Sequence, residues 1–148
     1  MGSNRARVIV ETDVAELKCV VDLNADLAKE KGEELGTDWA TNLDDVLGRD
    51  DIDCVMVMTP SGTHADLGVE AAKAGKHVIT TKPMDVSTEA CDRLIAACDG
   101  CGCQVSGRLS EPLCRQQLSC CPSPASGLAR PADFGGSSLQ IVPSGRIF

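Results

Sequence analysis

Between Asp53 and Pro83 the chain reads DCVMVMTPSGTHADLGVEAAKAGKHVITTKP, and this stretch limits the possible fold more than any other. Asp53–Thr59 is almost continuously apolar, the pattern of a strand covered on both faces. Pro60-Ser61-Gly62 breaks it. Thr63 and Asp66 have capping-box spacing, with Asp in the place usual for Glu or Gln. Leu67, Ala71 and Ala74 then follow at helical intervals, and Gly75 marks a stop. His77–Thr81 is a second apolar run and ends at Lys82-Pro83. Strand, helix and strand joined by short loops make a parallel unit, so both strands end at one edge of the sheet. In open α/β sheets that edge is where ligands bind.

The alternation continues on both sides. Arg5–Glu11 reads either as a strand or as the end of a helix. Glu16–Asp22 is a strand ending in an acid. Asn24 caps a helix over Ala25–Leu35, with Ala28, Gly32 and Leu35 on one face and Gly36 as the stop. Thr37–Thr41 is a short strand, and Asn42 caps a brief helix that buries Leu43, Val46 and Leu47. Asp44 and Asp45 suit the positive end of that helix. Ser87 opens a longer helix with Cys91, Leu94, Ile95 and Cys98 on one stripe, and Cys103–Ser106 is a last short strand. The fold class predicted is α/β, a doubly wound parallel sheet.

From about Arg108 no helical or strand period persists. Residues 1–100 carry 20 acidic and 10 basic side chains, whereas residues 101–148 carry 2 and 4, every base among the latter being Arg. Five of the seven prolines and six of the nine cysteines lie from Cys98 onward. Two compositions therefore share one chain. The predicted division is an α/β domain over 1–106 and an irregular tail over 107–148.

Charge and composition exclude several classes of function. A net charge of −8 opposes a nucleic-acid surface, and two Phe, one Trp and no Tyr leave little for base stacking. No apolar run approaches the ~20 residues of a membrane span. MGSNRAR lacks the apolar segment of a signal peptide, and Ala6 stands where an acylation motif requires Ser or Thr. The expectation is a cytoplasmic protein with free thiols, no nucleic-acid partner and no membrane partner.

Thr59-Pro60-Ser61-Gly62-Thr63-His64, then Gly75-Lys76-His77-Val78, then Thr81-Lys82-Pro83 occur in an order that resembles a known family. The resemblance, over roughly Glu16–Val105, is to the nucleotide-binding domain of the Gfo/Idh/MocA oxidoreductases, a Rossmann-like fold. In that family a TP-x-x-x-H loop, an AGKHV step and an EKP tripeptide follow one another at about this spacing. The resemblance implies NAD or NADP as cofactor and a polyol, sugar or related hydroxyl or carbonyl compound as substrate. It places the cofactor along Asp22, Asn24, Thr59, Pro60, Ser61, His64, Thr81, Lys82 and Pro83. Asp22 would accept from the adenosine ribose hydroxyls, and a carboxylate there suits NAD and repels the extra phosphate of NADP. Lys82 would be the catalytic lysine, stabilising negative charge on the substrate's reacting oxygen.

The departures are equally specific. Thr81 stands where the family has Glu, and no G-x-G-x-x-G occurs anywhere in the chain. Only 15 residues precede Glu16. A strand at Ala6–Val10 would leave five residues for a parallel crossover, which needs about a dozen. The expectation is a truncated domain without the family's first strand and glycine-rich turn, beginning inside its first helix. The strands at Glu16 and Asp53 would then lose the neighbour they share. Cofactor binding would be weakened, activity of the chain alone slight, and the tail would encode none of the family's structure. Two other readings remain open on sequence. One is a non-catalytic protein pairing with a partner or another copy, as a homo-oligomer, through exposed sheet edges. The other is a metal-binding module built on Cys98, Cys101, Cys103, Cys114, Cys120 and Cys121, although no paired C-x-x-C spacing supports it.

Overall fold

A computed structural model describes residues 2–11, 15–107 and 137–143. In chain order these form helix α1 (Gly2–Val10), strand β1 (Ala15–Val21), α2 (Ala25–Leu35), β2 (Asp38–Ala40) and α3 (Asp44–Leu47). There follow β3 (Cys54–Met58), α4 (His64–Lys73), β4 (His77–Thr80), α5 (Thr88–Cys101), β5 (Val105–Ser106) and β6 (Ser137–Pro143). All strand pairs are parallel, in the order β2-β1-β6-β3-β4-β5. The doubly wound α/β fold read from the sequence is the fold found.

Local chemistry accounts for most element ends. Asn24 accepts from the backbone N–H of Asp26 and Leu27, at 3.0 and 3.3 Å, as an N-cap should. Gly36 closes the same helix at φ 67°, a left-handed conformation that favours glycine. Ser87 caps α5 through Ala90 N–H at 3.1 Å. Arg5–Glu11, left open between strand and helix, is helical through Val10, as the short distance to β1 requires.

Two apolar layers sandwich the sheet. Ala6 and Ile9 of α1 pack with Leu17, Val20, Cys54, Met56, Met58 and Ile79 on one face. On the other, Val46, Ala65, Ala71, Ala72, Ala90, Leu94 and Cys98 from α3, α4 and α5 cover Cys19, Val21, Val55, Val57 and Val78. Every side chain of β3 is buried, which explains its unbroken apolar run. Full burial of each Val or Met there contributes about 1.5–3 kcal/mol. Cys19, Cys54 and Cys98 are core residues; on the stripe of α5, Cys91 is half-buried and Ile95 is 40% exposed. Ala74, assigned to the inner face of α4, is exposed; Gly68 and Ala72 lie inward instead.

Gly68 permits the closest packing in this layer. A Cβ there would lie 2.7 Å from Leu94 Cδ1 and 3.2 Å from Val78 Cγ1, both on buried side chains. Gly68→Val is therefore expected to cost about 1–3 kcal/mol through overpacking, read as a lower urea midpoint at unchanged slope.

The tail holds the main departure. Residues 108–136 and 144–148, where an irregular course was expected, lie outside the described residues. Ser137–Pro143, however, is a strand, and it lies in the middle of the sheet. It pairs Val20 with Ile141 on one side, and Met56 with Ile141 and Met58 with Pro143 on the other. The gap expected between β1 and β3 is filled, and the sheet extends beyond a boundary at residue 106. The physical cause is an open parallel slot lined by unpaired N–H and C=O groups, which templates any extended segment with β propensity. Leu139, Ile141 and Val142 give this stretch that propensity.

Candidate functional site

Because every strand is parallel, the carboxyl ends of β1, β6, β3 and β4 form one edge. Asp22 follows β1, Thr59 follows β3, and Thr81-Lys82-Pro83 follows β4. Val57 pairs with both Val142 and Thr80, so these ends stand nearly level. β1 and β3 lie on opposite sides of β6, about 10 Å apart at two strand spacings. Chain connections leave β6's two neighbours toward opposite faces, making this the switch point where open α/β sheets hold ligands.

Asp22 is 5% exposed, and its Oδ1 accepts from Asn24 N–H at 2.9 Å. The turn thus fixes the carboxylate at the edge while leaving it further acceptor capacity. Asn24 commits its side-chain oxygen to capping α2. Thr59 is half-buried, whereas Pro60 and Ser61 are exposed in the loop.

His64 is 1% exposed, its ring held between two loops. Nε2 lies 2.6 Å from Thr59 O and 3.4 Å from Thr81 Oγ1, and Nδ1 lies 3.0 Å from Pro83 O. The ring ties the end of β3 to the end of β4. Thr81 is half-buried; Lys82 and Pro83, joined by a cis peptide bond, are exposed.

The expected capping box does not form. Thr63 Oγ1 lies 2.8 Å from Thr59 Oγ1 and 2.9 Å from Pro60 O, and its backbone (φ −117°, ψ −5°) is not the extended conformation a cap requires. Asp66 pairs with Arg93 at 3.1 Å. The helix start is served by Asp85, a residue the sequence reading passed over. Its Oδ2 accepts from Ala65 N–H at 2.7 Å and its Oδ1 from Val86 N–H at 2.6 Å. Burial pushes this carboxyl up, but those two hydrogen bonds, with the nearby His64 and Arg93, outweigh burial and hold it below the ordinary range. The available signal was an acid shortly beyond Lys82-Pro83 and ahead of the next helix.

A groove of about 950 Å³ lies elsewhere, between α2, β1, β2 and α3. None of the carboxyl-edge residues lines it. Arg49, on its wall, is held at 2.8 Å by both Asp38 and Asp51, which also keeps the Asp51 carboxyl down at about 2. Among the described residues, no group of three His, Cys, Asp or Glu could hold a metal ion, and no helix is long and apolar enough to cross a membrane. Cys114, Cys120 and Cys121 lie outside those residues.

A doubly wound parallel sheet with an acid at the end of β1 and polar loops after β3 and β4 defines a dinucleotide-binding domain of the Rossmann class. The chain belongs to the Gfo/Idh/MocA family, an oxidoreductase family with an NAD-binding Rossmann fold, whose sequence model matches residues 1–108. It is 36% identical over 97 residues to an oxidoreductase of Streptococcus pneumoniae, covering 66% of this chain and 26% of that protein. It is 37% identical over 76 residues to an NAD(+)-dependent scyllo-inositol 2-dehydrogenase of Bacillus subtilis, covering 51% and 22%. Among solved structures, the WlbA dehydrogenase of Bordetella pertussis, in complex with NADH and UDP-GlcNAcA, is 32% identical with a TM-score of 0.65. That match covers 70% of this chain and 31% of WlbA. A 3-ketoreductase of Actinomadura kijaniata, in complex with NADP and TDP-benzene, gives 28% and 0.68, covering 76% and 35%. The chain spans about a quarter of the length of these curated relatives.

Proposed function

We propose that this chain is the nicotinamide-dinucleotide-binding part of an oxidoreductase acting on a polyol, sugar or related hydroxyl or carbonyl compound. The observation that carries the reading is the alignment of Asp22, the Thr59–His64 loop and Thr81-Lys82-Pro83 along one carboxyl edge, on either side of β6. The chemical classes of the related proteins support the substrate class: an inositol in one, a sugar nucleotide in another.

The residues present fit the cofactor in part. A carboxylate fixed at the end of β1 suits ribose hydroxyls. The exposed loop after β3 and the exposed Lys82 suit the nicotinamide half and a substrate oxygen beside it. No G-x-G-x-x-G is present to cradle a pyrophosphate on a helix N-terminus, which argues for modest affinity. A bound nicotinamide supplies hydride transfer. Lys82 places a positive charge where it stabilises negative charge on the reacting oxygen. Asp22 favours NAD over NADP by like-charge repulsion of the extra phosphate. In this reading turnover also requires a substrate-binding region beyond this domain.

Titration calorimetry with NADH and NADPH tests the reading. Saturable NADH binding is expected, with NADPH weaker, and Lys82→Ala should leave NADH affinity within about threefold, well under 1 kcal/mol. Absence of saturation by either dinucleotide at millimolar concentration would refute it.

A further inference from the structure

We infer that Asp85, acting with His64, is a positioning residue that sets the place of Lys82 at the site. The inference rests on the reading of Lys82 given above.

Lys82 sits in a short segment fastened on both sides. Upstream, Thr81 Oγ1 lies 3.4 Å from His64 Nε2; downstream, Pro83 O lies 3.0 Å from His64 Nδ1. His64 is itself fixed to the β3 loop through Thr59 O at 2.6 Å. His64 reaches the segment at Thr81 and Pro83 and not beyond, so it is an incomplete fastening.

Asp85 completes it. Three residues beyond Lys82, it is 8% exposed and commits both carboxylate oxygens. One binds Ala65 N–H in the first turn of α4, and the other binds Val86 N–H and shapes the local turn. The carboxylate faces the positive end of α4, and the bond to a backbone N–H is charge-assisted. Ala65 and His64 are consecutive residues of one rigid helix. The segment after β4 is thus bound at two points to a single element, with Lys82 and Pro83 projecting to solvent between them. A group that acts on a reacting oxygen must be held to a fraction of an ångström, and such precision comes from fixed supporting bonds.

The test is amide NMR of the full chain, wild type, Asp85→Ala and Asp85→Asn, titrated with NADH, with hydrogen exchange on the same samples. Asp85→Asn retains one acceptor oxygen for Ala65. The NADH-induced shift of the Lys82 amide is expected to be lost in Asp85→Ala and recovered at least in part in Asp85→Asn. Shifts at Asp22 and Asn24 should persist in both. An unchanged Lys82 shift in Asp85→Ala overturns the proposal. So does loss of the Asp22 and Lys82 shifts together. Should the wild-type chain show no NADH-induced shifts, the dinucleotide reading fails, and exchange then decides the clasp separately. Thr81, Lys82 and Val86 must exchange faster in Asp85→Ala while Val78 and Ile79 stay protected; equal rates overturn it.

Discussion

A chain ending at Gly107 is expected to show no cooperative unfolding transition. Removing Ser137–Pro143 strips β1 and β3 of the strand between them, with five register pairs lost on each side. About ten ladder hydrogen bonds at a net ~1 kcal/mol each are comparable with the ~5–15 kcal/mol that holds a whole domain together. Far-UV circular dichroism during thermal and urea denaturation reads the outcome. A milder variant, Gln140→Pro, deletes one ladder donor from the middle of β6 and leaves its acceptor unpaired, which should lower stability by about 1–3 kcal/mol. A truncated chain that melts as sharply as the full one would show that β6 contributes nothing to the sheet.

Asp22→Asn carries the second large effect, on affinity rather than folding. Asn retains an oxygen for Asn24 N–H, so the turn after β1 and the unfolding midpoint should hold. The charge is lost. Hydrogen bonds to a charged group contribute about 1.5–3 kcal/mol, so NADH affinity should fall by roughly 10- to 150-fold. NADPH, no longer repelled, should lose less, and the preference for NADH should shrink or reverse. Calorimetric titration of both dinucleotides measures the ratio; an unchanged ratio would remove Asp22 from the site.

The central layout was legible in the sequence because it follows from local patterns. β3 and β4 announce themselves as unbroken apolar runs, and Asn24, Gly36 and Ser87 mark helix ends by chemistry that acts over a few residues. The TP-x-x-x-H and Lys-Pro segments could be placed because parallel strands must share an edge. Long-range partners were not legible. Asp85 serves a helix that starts some twenty residues earlier, and no periodicity reports such a bond. The spacing of Thr63 and Asp66 suggested a local cap, but Thr63 was drawn to Pro60 O, and the trans-acting carboxylate took the role. β6 was missed for a related reason. Its Ser, Gln and Pro look unlike a strand in the middle of a sheet, and only the vacant slot between β1 and β3 makes its short run of Leu139, Ile141 and Val142 meaningful.

That slot also sets a timetable. The strand that closes the middle of the sheet is made after all its neighbours, separated from β5 by thirty residues of chain. During synthesis β1 and β3 must therefore wait, each with one edge bare, until Pro143 has left the ribosome. A keystone supplied so late makes the nascent domain slow to close and open to capture by other extended chains in the interval, so its yield should depend on chaperones that shield strand edges.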